Sequence, residues 1–328
     1  MTDGHSSRTE SRPAREWVVK VTSPSFSQNS ILRAELTARF GASVFNETGQ
    51  RFDRQCLAAY LADADAAVVG LEVIDDNLLA SCPRLRMIAK YGVGLDGIDL
   101  DACRSRGVAL GWTAGVNRRS VAELTLAFVL GLFHDVFLTS TLLRQGRWHK
   151  QGGRQLSSAT IGIVGLGHVG RDLARLLKPF HCRILANDIV DVSAFCAEHN
   201  IELVEKDDLY AQSDAVTLHV PLTPLTRRLI DDRALEKFRQ GAFLVNTSRG
   251  EVVDQAALKR ALIDGRLGGA ALDVFNVEPP SDRELLQLTT FVGTPHIGGN
   301  AREAVLLTGR SAIAHLERFF CQAAEVSE

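Results

Sequence analysis

The sequence predicts an α/β protein with two doubly wound parallel-sheet domains. Short apolar runs of strand-like composition alternate with helical patterns through most of the 328 residues. These runs are continuously apolar, which is typical of parallel strands covered by helices on both faces. The chain is also longer than one ordinary core requires, which favours two domains.

Ten apolar runs are the predicted strands. In chain order they cover residues 17–22, 66–70, 87–91, 108–111, 160–165, 183–187, 215–220, 242–246, 269–274 and 290–292. Helical patterns lie between them, among others at 172–180, 231–238 and 254–263. Ligands bind at the carboxyl ends of the strands in such sheets, so residues that follow each run are the candidates for function.

A long helix is predicted between the two sets of strands. Ser120 and Glu123 fit a capping box, with the serine at the N-cap, and the helix runs from there towards Trp148. Its apolar stretch, residues 124–133, is too short to cross a bilayer and suits a buried helix. A final helix is predicted over 302–320.

Composition narrows the functional classes. A net charge of −2 with both signs interspersed gives no indication of nucleic-acid or anionic-membrane binding. The first fifteen residues are polar and are expected to form a mobile tail, without a secretory signal. Six cysteines lack CxxC or metal-ligand spacing, which favours reduced thiols in a cytoplasm and no metal site. His219 is expected to be a packed, hydrogen-bonded residue.

A glycine-rich turn follows the strand at 160–165 and opens a helix, as in Rossmann-like dinucleotide-binding units. Its residues are Gly165, Leu166, Gly167, His168, Val169 and Gly170. The three glycines suit a tight turn, close approach of a pyrophosphate, and close helix packing. Backbone amides of His168 and Val169 are expected to face the phosphates, with the helix dipole behind them.

Asp188 ends the next strand, about twenty residues after the glycine turn, where such units carry an acidic residue. Its carboxylate can accept a hydrogen bond from a ribose 2′-hydroxyl and would repel a 2′-phosphate, so NAD is favoured over NADP. The alternative is a glycine turn followed by an ordinary solvated aspartate.

Three polar residues follow the last three predicted strands. Arg249 offers a planar fork for a carboxylate or carbonyl. His296 can exchange a proton with a hydroxyl near neutral pH, and a carboxylate such as Glu278 would stabilise its imidazolium form. Each has an ordinary surface interpretation alone, but together, after a nucleotide loop, they indicate hydride transfer on a small hydroxy acid.

Several motifs between residues 66 and 304 resemble the D-isomer-specific 2-hydroxyacid dehydrogenase family, most closely its 3-phosphoglycerate dehydrogenase branch. They are GVGLDGID (92–99), SVAE (120–123), GLGHVG (165–170), NTSRGEVVD (246–254), ALDVFNVEPP (271–280) and PHIGG (295–299). The resemblance implies that His296 is the acid/base, that Glu278 is its partner, and that Arg249 binds the substrate. Backbone amides near Val93 and Gly94 would hold the substrate carboxylate.

The resemblance also implies the cofactor site and the assembly. Asp273 would bind the nicotinamide carboxamide, and the other cofactor contacts expected outside the glycine loop are Val93, Asp188, Val220, Thr247, Ser248, Arg249, His296 and Gly298. Residues 1–114 and 298–328 would form a discontinuous substrate domain, and residues 115–297 the NAD domain. A cytoplasmic homodimer is expected, joined through the cofactor domain.

The chain departs from the 3-phosphoglycerate branch at one place. An Arg-Ser pair is expected after the strand at 66–69, but Gly70 and Leu71 stand there and supply neither charge nor hydroxyl. Lys90, Arg118 and Arg119 are the alternative sources of positive charge.

We therefore predict an NAD-dependent enzyme that interconverts a D-2-hydroxy acid and its 2-keto acid. One alternative is a 3-phosphoglycerate dehydrogenase proper, and another is a phosphite-type dehydrogenase. Formate is disfavoured, because relatives acting on it carry Gln at the position of Glu278. A further alternative is a non-enzymatic NADH sensor similar to the C-terminal-binding corepressors.

Overall fold

The computed structural model describes residues 17–150 and 152–325, with the side chains of 322–325 excepted. The tail predicted over the first fifteen residues lies outside the described residues. The described chain divides into two compact units. The first comprises the residues up to Asn117 and those from Arg302 onwards, and the second comprises Arg118–Ala301.

The first unit contains a five-stranded parallel sheet in the order β2-β1-β3-β4-β5. The strands are β1 (Val19–Val21), β2 (Ser43–Phe45), β3 (Ala66–Val69), β4 (Met87–Lys90) and β5 (Ala109–Gly111). The helices are α1 (Pro24–Gln28), α2 (Ser30–Arg39), α3 (Arg54–Leu61), α4 (Asp76–Ala80), α5 (Leu100–Ser105) and α14 (Arg302–Glu325).

Alternate strand residues of this sheet pack into two separate cores. Val68 and Ala89 face one core together with Leu36 of α2 and Leu316 of α14. The intervening residues face the second core, which α3, α4 and α5 cover; they are Ala67, Val69 and Ile88. Burial on both faces explains why these strands are continuously apolar.

The second unit contains a seven-stranded parallel sheet in the order β12-β11-β10-β9-β6-β7-β8. The strands are β6 (Thr160–Val164), β7 (Arg183–Asn187), β8 (Glu202–Leu203), β9 (Ala215–Leu218), β10 (Ala242–Asn246), β11 (Leu267–Leu272) and β12 (Phe291–Gly293). The helices are α6 (Arg118–Phe133), α7 (Val136–Arg144), α8 (His168–Leu177), α9 (Ser193–His199), α10 (Lys206–Gln212), α11 (Asp232–Lys237), α12 (Gln255–Ile263) and α13 (Arg283–Gln287).

These observations confirm the predicted fold class of two Rossmann-like parallel-sheet units, the first of them discontinuous in sequence. All ten predicted strands are present, two of them with the predicted ends and eight with slightly different ends. Two short edge strands, β2 and β8, were not predicted. Their residues are partly or fully exposed, so they lack the apolar run by which the central strands are recognised.

The predicted long helix and its cap are wrong. Helix α6 begins two residues before Ser120, so Ser120 lies in its first turn and not at the N-cap. The helix ends at Phe133, and Asp135 adopts a left-handed φ of 51° before α7. No single described helix is long and apolar enough to cross a membrane; α6 and α7, bent by 66°, pass that test only as a pair, by length and composition.

Candidate active site

The glycine-rich loop joins β6 to α8 and is shaped for a dinucleotide. Gly165 has a φ of 92°, and a Cβ there would lie 2.7 Å from the carbonyl oxygen of His219. A Cβ on Gly170 would lie 2.1 Å from the carbonyl oxygen of Gly165, so only glycine allows α8 to pack this closely on β6. Gly167 has no neighbour within 4 Å of such a Cβ, which leaves its backbone open to a ligand.

The N-terminus of α8 has the properties of an anion site. Its N-cap is Gly167, and no side chain caps the first turn, which begins with His168 and Val169. The amides of an uncapped first turn, together with the helix dipole, favour a phosphate. His168 is exposed. The residues present therefore fit the pyrophosphate of a dinucleotide.

Asp188 follows β7 at the same edge of the sheet. Its Oδ2 accepts a hydrogen bond of 2.6 Å from the backbone amide of Leu166 in the glycine loop. Its Oδ1 accepts one of 3.1 Å from the amide of Val190. Ile189 is 90% exposed beside it. The carboxylate is thus fixed next to the loop that would hold the phosphates.

His219 and Val220 follow β9 and are both half-buried. The Nε2 atom of His219 is buried and has no hydrogen-bond partner within the described residues, so the expected hydrogen-bonded histidine is wrong for that nitrogen. Burial lowers the pKa of His219 to about 3, because a charged imidazolium would be poorly solvated there. Although part of the residue is exposed, we take its ring as neutral, because Nε2 itself is out of reach of water.

Asn246, the last residue of β10, organises the turn that carries Thr247, Ser248 and Arg249. Its side-chain oxygen accepts hydrogen bonds from the amide and hydroxyl of Ser248, at 3.0 and 2.7 Å. Its side-chain nitrogen donates to the carbonyl of Arg249 at 2.8 Å. Asn246 is fully buried, and sequence reasoning did not assign it a role.

Thr247 is buried, and its hydroxyl lies 2.8 Å from that of Thr125 in α6. Arg249 is half-buried, and its Nη1 donates to the carbonyl of Ser248 at 2.7 Å. The three residues therefore lie where β10 ends, at the edge of the sheet that also carries the glycine loop.

Asp273 follows β11 and is almost completely buried. Its carboxylate accepts hydrogen bonds from the hydroxyl of Thr294 at 2.6 Å, the amide of Ile297 at 2.8 Å and the amide of Gly298 at 2.7 Å. The carbonyl of Asp273 also accepts the amide of His296 at 2.9 Å. Asp273 thus shapes the loop that carries His296, a contact that the sequence did not indicate.

His296 and Glu278 are in direct contact. Nδ1 of His296 lies 2.9 Å from Oε2 and 3.1 Å from Oε1 of Glu278. Oε1 also accepts the amide of Phe275 at 3.1 Å, which orients the carboxylate. His296 has a left-handed φ of 55°, a conformation that costs energy in a non-glycine residue and is common at functional sites.

The proposed carboxylate-binding residues Val93 and Gly94 belong to the first unit. They lie in the loop that follows β4, the strand that pairs with both β3 and β5. The residues of the second unit described above follow β6, β7, β9, β10, β11 and β12. Because all strands of that sheet are parallel, these loops share one edge of it.

The chain belongs to the D-isomer specific 2-hydroxyacid dehydrogenases. Residues 126–298 match the model of the NAD-binding domain of that family. The second unit is therefore an NAD-binding domain, in agreement with its uncapped helix and glycine loop. The family and the NAD cofactor expected from the sequence are confirmed.

The relatives include three whose names specify different substrates. The chain is 40% identical to an (S)-sulfolactate dehydrogenase of Chromohalobacter salexigens, over 70% of this chain and 76% of that protein. It is 33% identical to a hydroxypyruvate reductase of Thermotoga maritima, over 78% of this chain and 85% of that protein. It is 38% identical over 77% of its length to a D-3-phosphoglycerate dehydrogenase of Mycobacterium tuberculosis, but spans only 48% of that relative.

A solved structure supports the same fold. The TT0316 protein of Thermus thermophilus superposes with a TM-score of 0.80 at 30% sequence identity, over 94% of this chain and 97% of that one.

Proposed function

We propose that the protein is an NAD-dependent dehydrogenase that interconverts a D-2-hydroxy acid and its 2-keto acid. The observation that carries this proposal is the 2.9 Å contact between His296 and Glu278 in an NAD-binding domain. Relatives named for sulfolactate, hydroxypyruvate and phosphoglycerate support it, since each name refers to a three-carbon 2-hydroxy or 2-keto acid.

His296 is the proposed acid/base. Its Nδ1 faces the carboxylate of Glu278, so we assign the Nδ1 proton to that contact and leave Nε2 for the substrate. In oxidation Nε2 accepts the proton of the substrate hydroxyl, and in reduction it returns a proton to the carbonyl oxygen. The nearby carboxylate stabilises the imidazolium formed in oxidation. Bound NAD supplies the acceptor or the donor of the hydride at C2.

The remaining residues bind and orient the ligands in this proposal. Arg249 binds the carboxylate and carbonyl of the substrate, and the backbone amides of Val93 and Gly94 bind the carboxylate, which makes the first unit the substrate-binding domain. Asp188 binds the adenosine ribose, and Asp273 the nicotinamide carboxamide. The further proposed cofactor contacts are Val93, Gly165, Gly167, His168, Val169, Gly170, Val220, Thr247, Ser248, Arg249, His296 and Gly298.

Two aspects of the assembly are proposed on the family resemblance. The protein would form a homodimer through its NAD-binding domain, to which the apolar residues 124–133 of α6 belong. It would work in the cytoplasm on a small-molecule substrate, without nucleic acid or membrane as a partner.

The proposal is tested by following NADH oxidation over a panel of 2-keto acids that differ in side-chain size and charge. Turnover is expected with at least one of them. His296→Gln keeps a similar bulk but removes the acid/base, so kcat should fall by about 10²–10⁴-fold while NADH affinity stays nearly unchanged. Normal turnover in His296→Gln would exclude the acid/base role. NADH binding without turnover in the unmodified protein would favour the NADH-sensor alternative.

A further inference from the structure

The loop proposed to bind the substrate carboxylate is held by a tryptophan that follows the neighbouring strand. The indole Nε1 of Trp112, directly after β5, donates a hydrogen bond of 2.9 Å to the carbonyl oxygen of Val93. β5 pairs with β4, and the loop with Val93 and Gly94 follows β4. Trp112 is 37% exposed, so it lies at the surface of this edge of the sheet.

This hydrogen bond also sets the direction of the Gly94 amide. The carbonyl of Val93 and the N–H of Gly94 belong to one peptide group, and in a planar trans peptide the two point in opposite directions. When Trp112 holds the carbonyl on one side, the N–H of Gly94 faces the other. That N–H has no backbone acceptor within the described part of the chain, and Gly94 is half-buried.

The residue that follows Trp112 is held by helix α14. Nε2 of His315 lies 2.9 Å from the hydroxyl of Thr113, and that hydroxyl accepts a hydrogen bond of 2.7 Å from Ser311. Burial lowers the pKa of His315, and the charge of Arg318 lowers it further, so the neutral ring can accept from Thr113.

We propose that Trp112 is a positioning residue for substrate recognition, whose indole N–H orients the Val93–Gly94 peptide group so that the Gly94 amide meets the substrate carboxylate. The inference rests on the proposed function. Because every 2-keto acid carries the same carboxylate, loss of the indole N–H should weaken the binding of every such acid by the same factor, whatever its side chain.

Trp112→Phe removes the N–H and keeps an aromatic ring, and Trp148→Phe, at a tryptophan that is 79% exposed, is the matched control. The KM for glyoxylate and for hydroxypyruvate should rise by a common factor of about three to ten, since one hydrogen bond contributes roughly that much. The inhibition constant of oxamate should rise equally, while kcat and the Kd for NADH change less than about twofold. Trp148→Phe should change none of these constants.

A second variant separates the hydrogen bond from the shape of the ring. 3-Benzothienylalanine at position 112 replaces the N–H by sulfur and should reproduce the KM effect without loss of thermal stability. An unchanged KM in both variants, or a rise that depends on the substrate side chain, would overturn the inference and leave the proposed function intact. If the unmodified protein reduces no 2-keto acid, the proposed function fails. The role of Trp112 is then tested by calorimetric binding of oxamate to the NADH complexes of the unmodified protein and of Trp112→Phe. Equal binding in the two proteins, or binding in neither, refutes that role.

Discussion

The carboxylate of Asp188 and the backbone amide of Leu166 are joined by a hydrogen bond of 2.6 Å. The residue proposed to bind the ribose therefore also holds the glycine loop proposed to bind the phosphates. A carboxylate has about four lone-pair positions, and the amides of Leu166 and Val190 use one on each oxygen. Acceptor capacity remains for a ribose hydroxyl, whereas a 2′-phosphate would meet a fixed negative charge.

The first prediction concerns the choice of cofactor. NAD should exceed NADP by at least tenfold in kcat/KM, which corresponds to about 1.4 kcal/mol. Asp188→Ala should reduce that preference but also release Leu166. Asp188→Asn removes the charge and keeps a carbonyl acceptor, so it should reduce the preference with less loss of NAD affinity. Equal use of both cofactors by the unmodified protein would contradict the assignment of Asp188.

The second prediction concerns the contact between Glu278 and His296. Glu278→Gln keeps the size of the side chain but removes the charge that stabilises the imidazolium. The imidazolium that forms during oxidation then lacks its counter-charge, so kcat for a 2-hydroxy acid should fall by about 10–100-fold, since a hydrogen bond to a charged group contributes about 1.5–3 kcal/mol. The Kd for NADH should change little. The measurement is kcat at saturating NAD, and an unchanged kcat would mean that Glu278 does not act through His296.

The location of polar residues that follow apolar strands was the feature that the sequence predicted best. Parallel strands bring their carboxyl ends to one edge, so Arg249, Glu278 and His296 could be assigned to neighbouring loops without coordinates. The contact between Glu278 and His296 follows from that placement. Strand alternation and the glycine turn likewise sufficed for the fold class and the NAD-binding unit.

The hydrogen bonds that hold the loops of these residues in place could not be predicted, because they join residues far apart in sequence. Ser120 donates its hydroxyl to the carbonyl of Gly298, 178 residues away. It lies in the first turn of α6, which starts two residues before it. From the sequence alone, a serine at this position fits the N-cap of the helix as well as it fits the first turn. Asp273 was expected only to bind the cofactor, yet three donors of the His296 loop converge on its carboxylate, a geometry that no local pattern records.

The third prediction concerns stability at acid pH and His219. Burial lowers its pKa to about 3, below the ordinary value of 6.5. Between these two values the unfolded chain binds a proton at this residue and the folded chain does not. The stability that neutral His219 contributes is therefore complete above about pH 6.5 and declines as the pH falls towards 3, by at most about 1.4 kcal/mol per pH unit.

Urea unfolding at several pH values between 7.5 and 4.5 would measure this dependence. In His219→Gln the free energy of unfolding should fall less steeply as the pH is lowered. The difference in slope should correspond to at most one bound proton, because the remaining titrating groups are the same in both proteins. His149→Gln, at an exposed histidine, controls for the loss of an imidazole. Equal slopes in the unmodified protein and His219→Gln would show that His219 titrates alike in both states.

The last prediction concerns the substrate, and it rests on the loop after β3. The amide of Gly70 donates to Glu72 Oε2 at 2.6 Å, and Lys90 Nζ donates to the carbonyl of Gly70. Glu72 and Lys90 are both buried, and the Lys90 ammonium contacts the backbone of this loop. Leu71 and Val73 are 57% and 59% exposed, and the loop therefore presents apolar side chains at the carboxyl edge of the sheet.

A phosphate with nearly two negative charges is usually held by arginine forks and hydroxyls, which this loop does not offer. Of the alternative cations, Arg119 already pairs with Asp172 at 2.9 Å. We therefore expect an uncharged or apolar 2-keto acid to be reduced faster than 3-phosphohydroxypyruvate, although relatives are named for sulfolactate and phosphoglycerate as well as for hydroxypyruvate.

Steady-state kinetics with hydroxypyruvate, glyoxylate, 2-ketoisocaproate and 3-phosphohydroxypyruvate test this preference. Leu71→Arg should raise kcat/KM for the phosphorylated acid relative to the unmodified protein, because an exposed guanidinium would then stand on the same loop, whereas Leu71→Met should not. If the phosphorylated acid is preferred by tenfold or more before any substitution, the prediction is wrong. In that case Lys90, Arg118 or Arg119 becomes the candidate phosphate ligand.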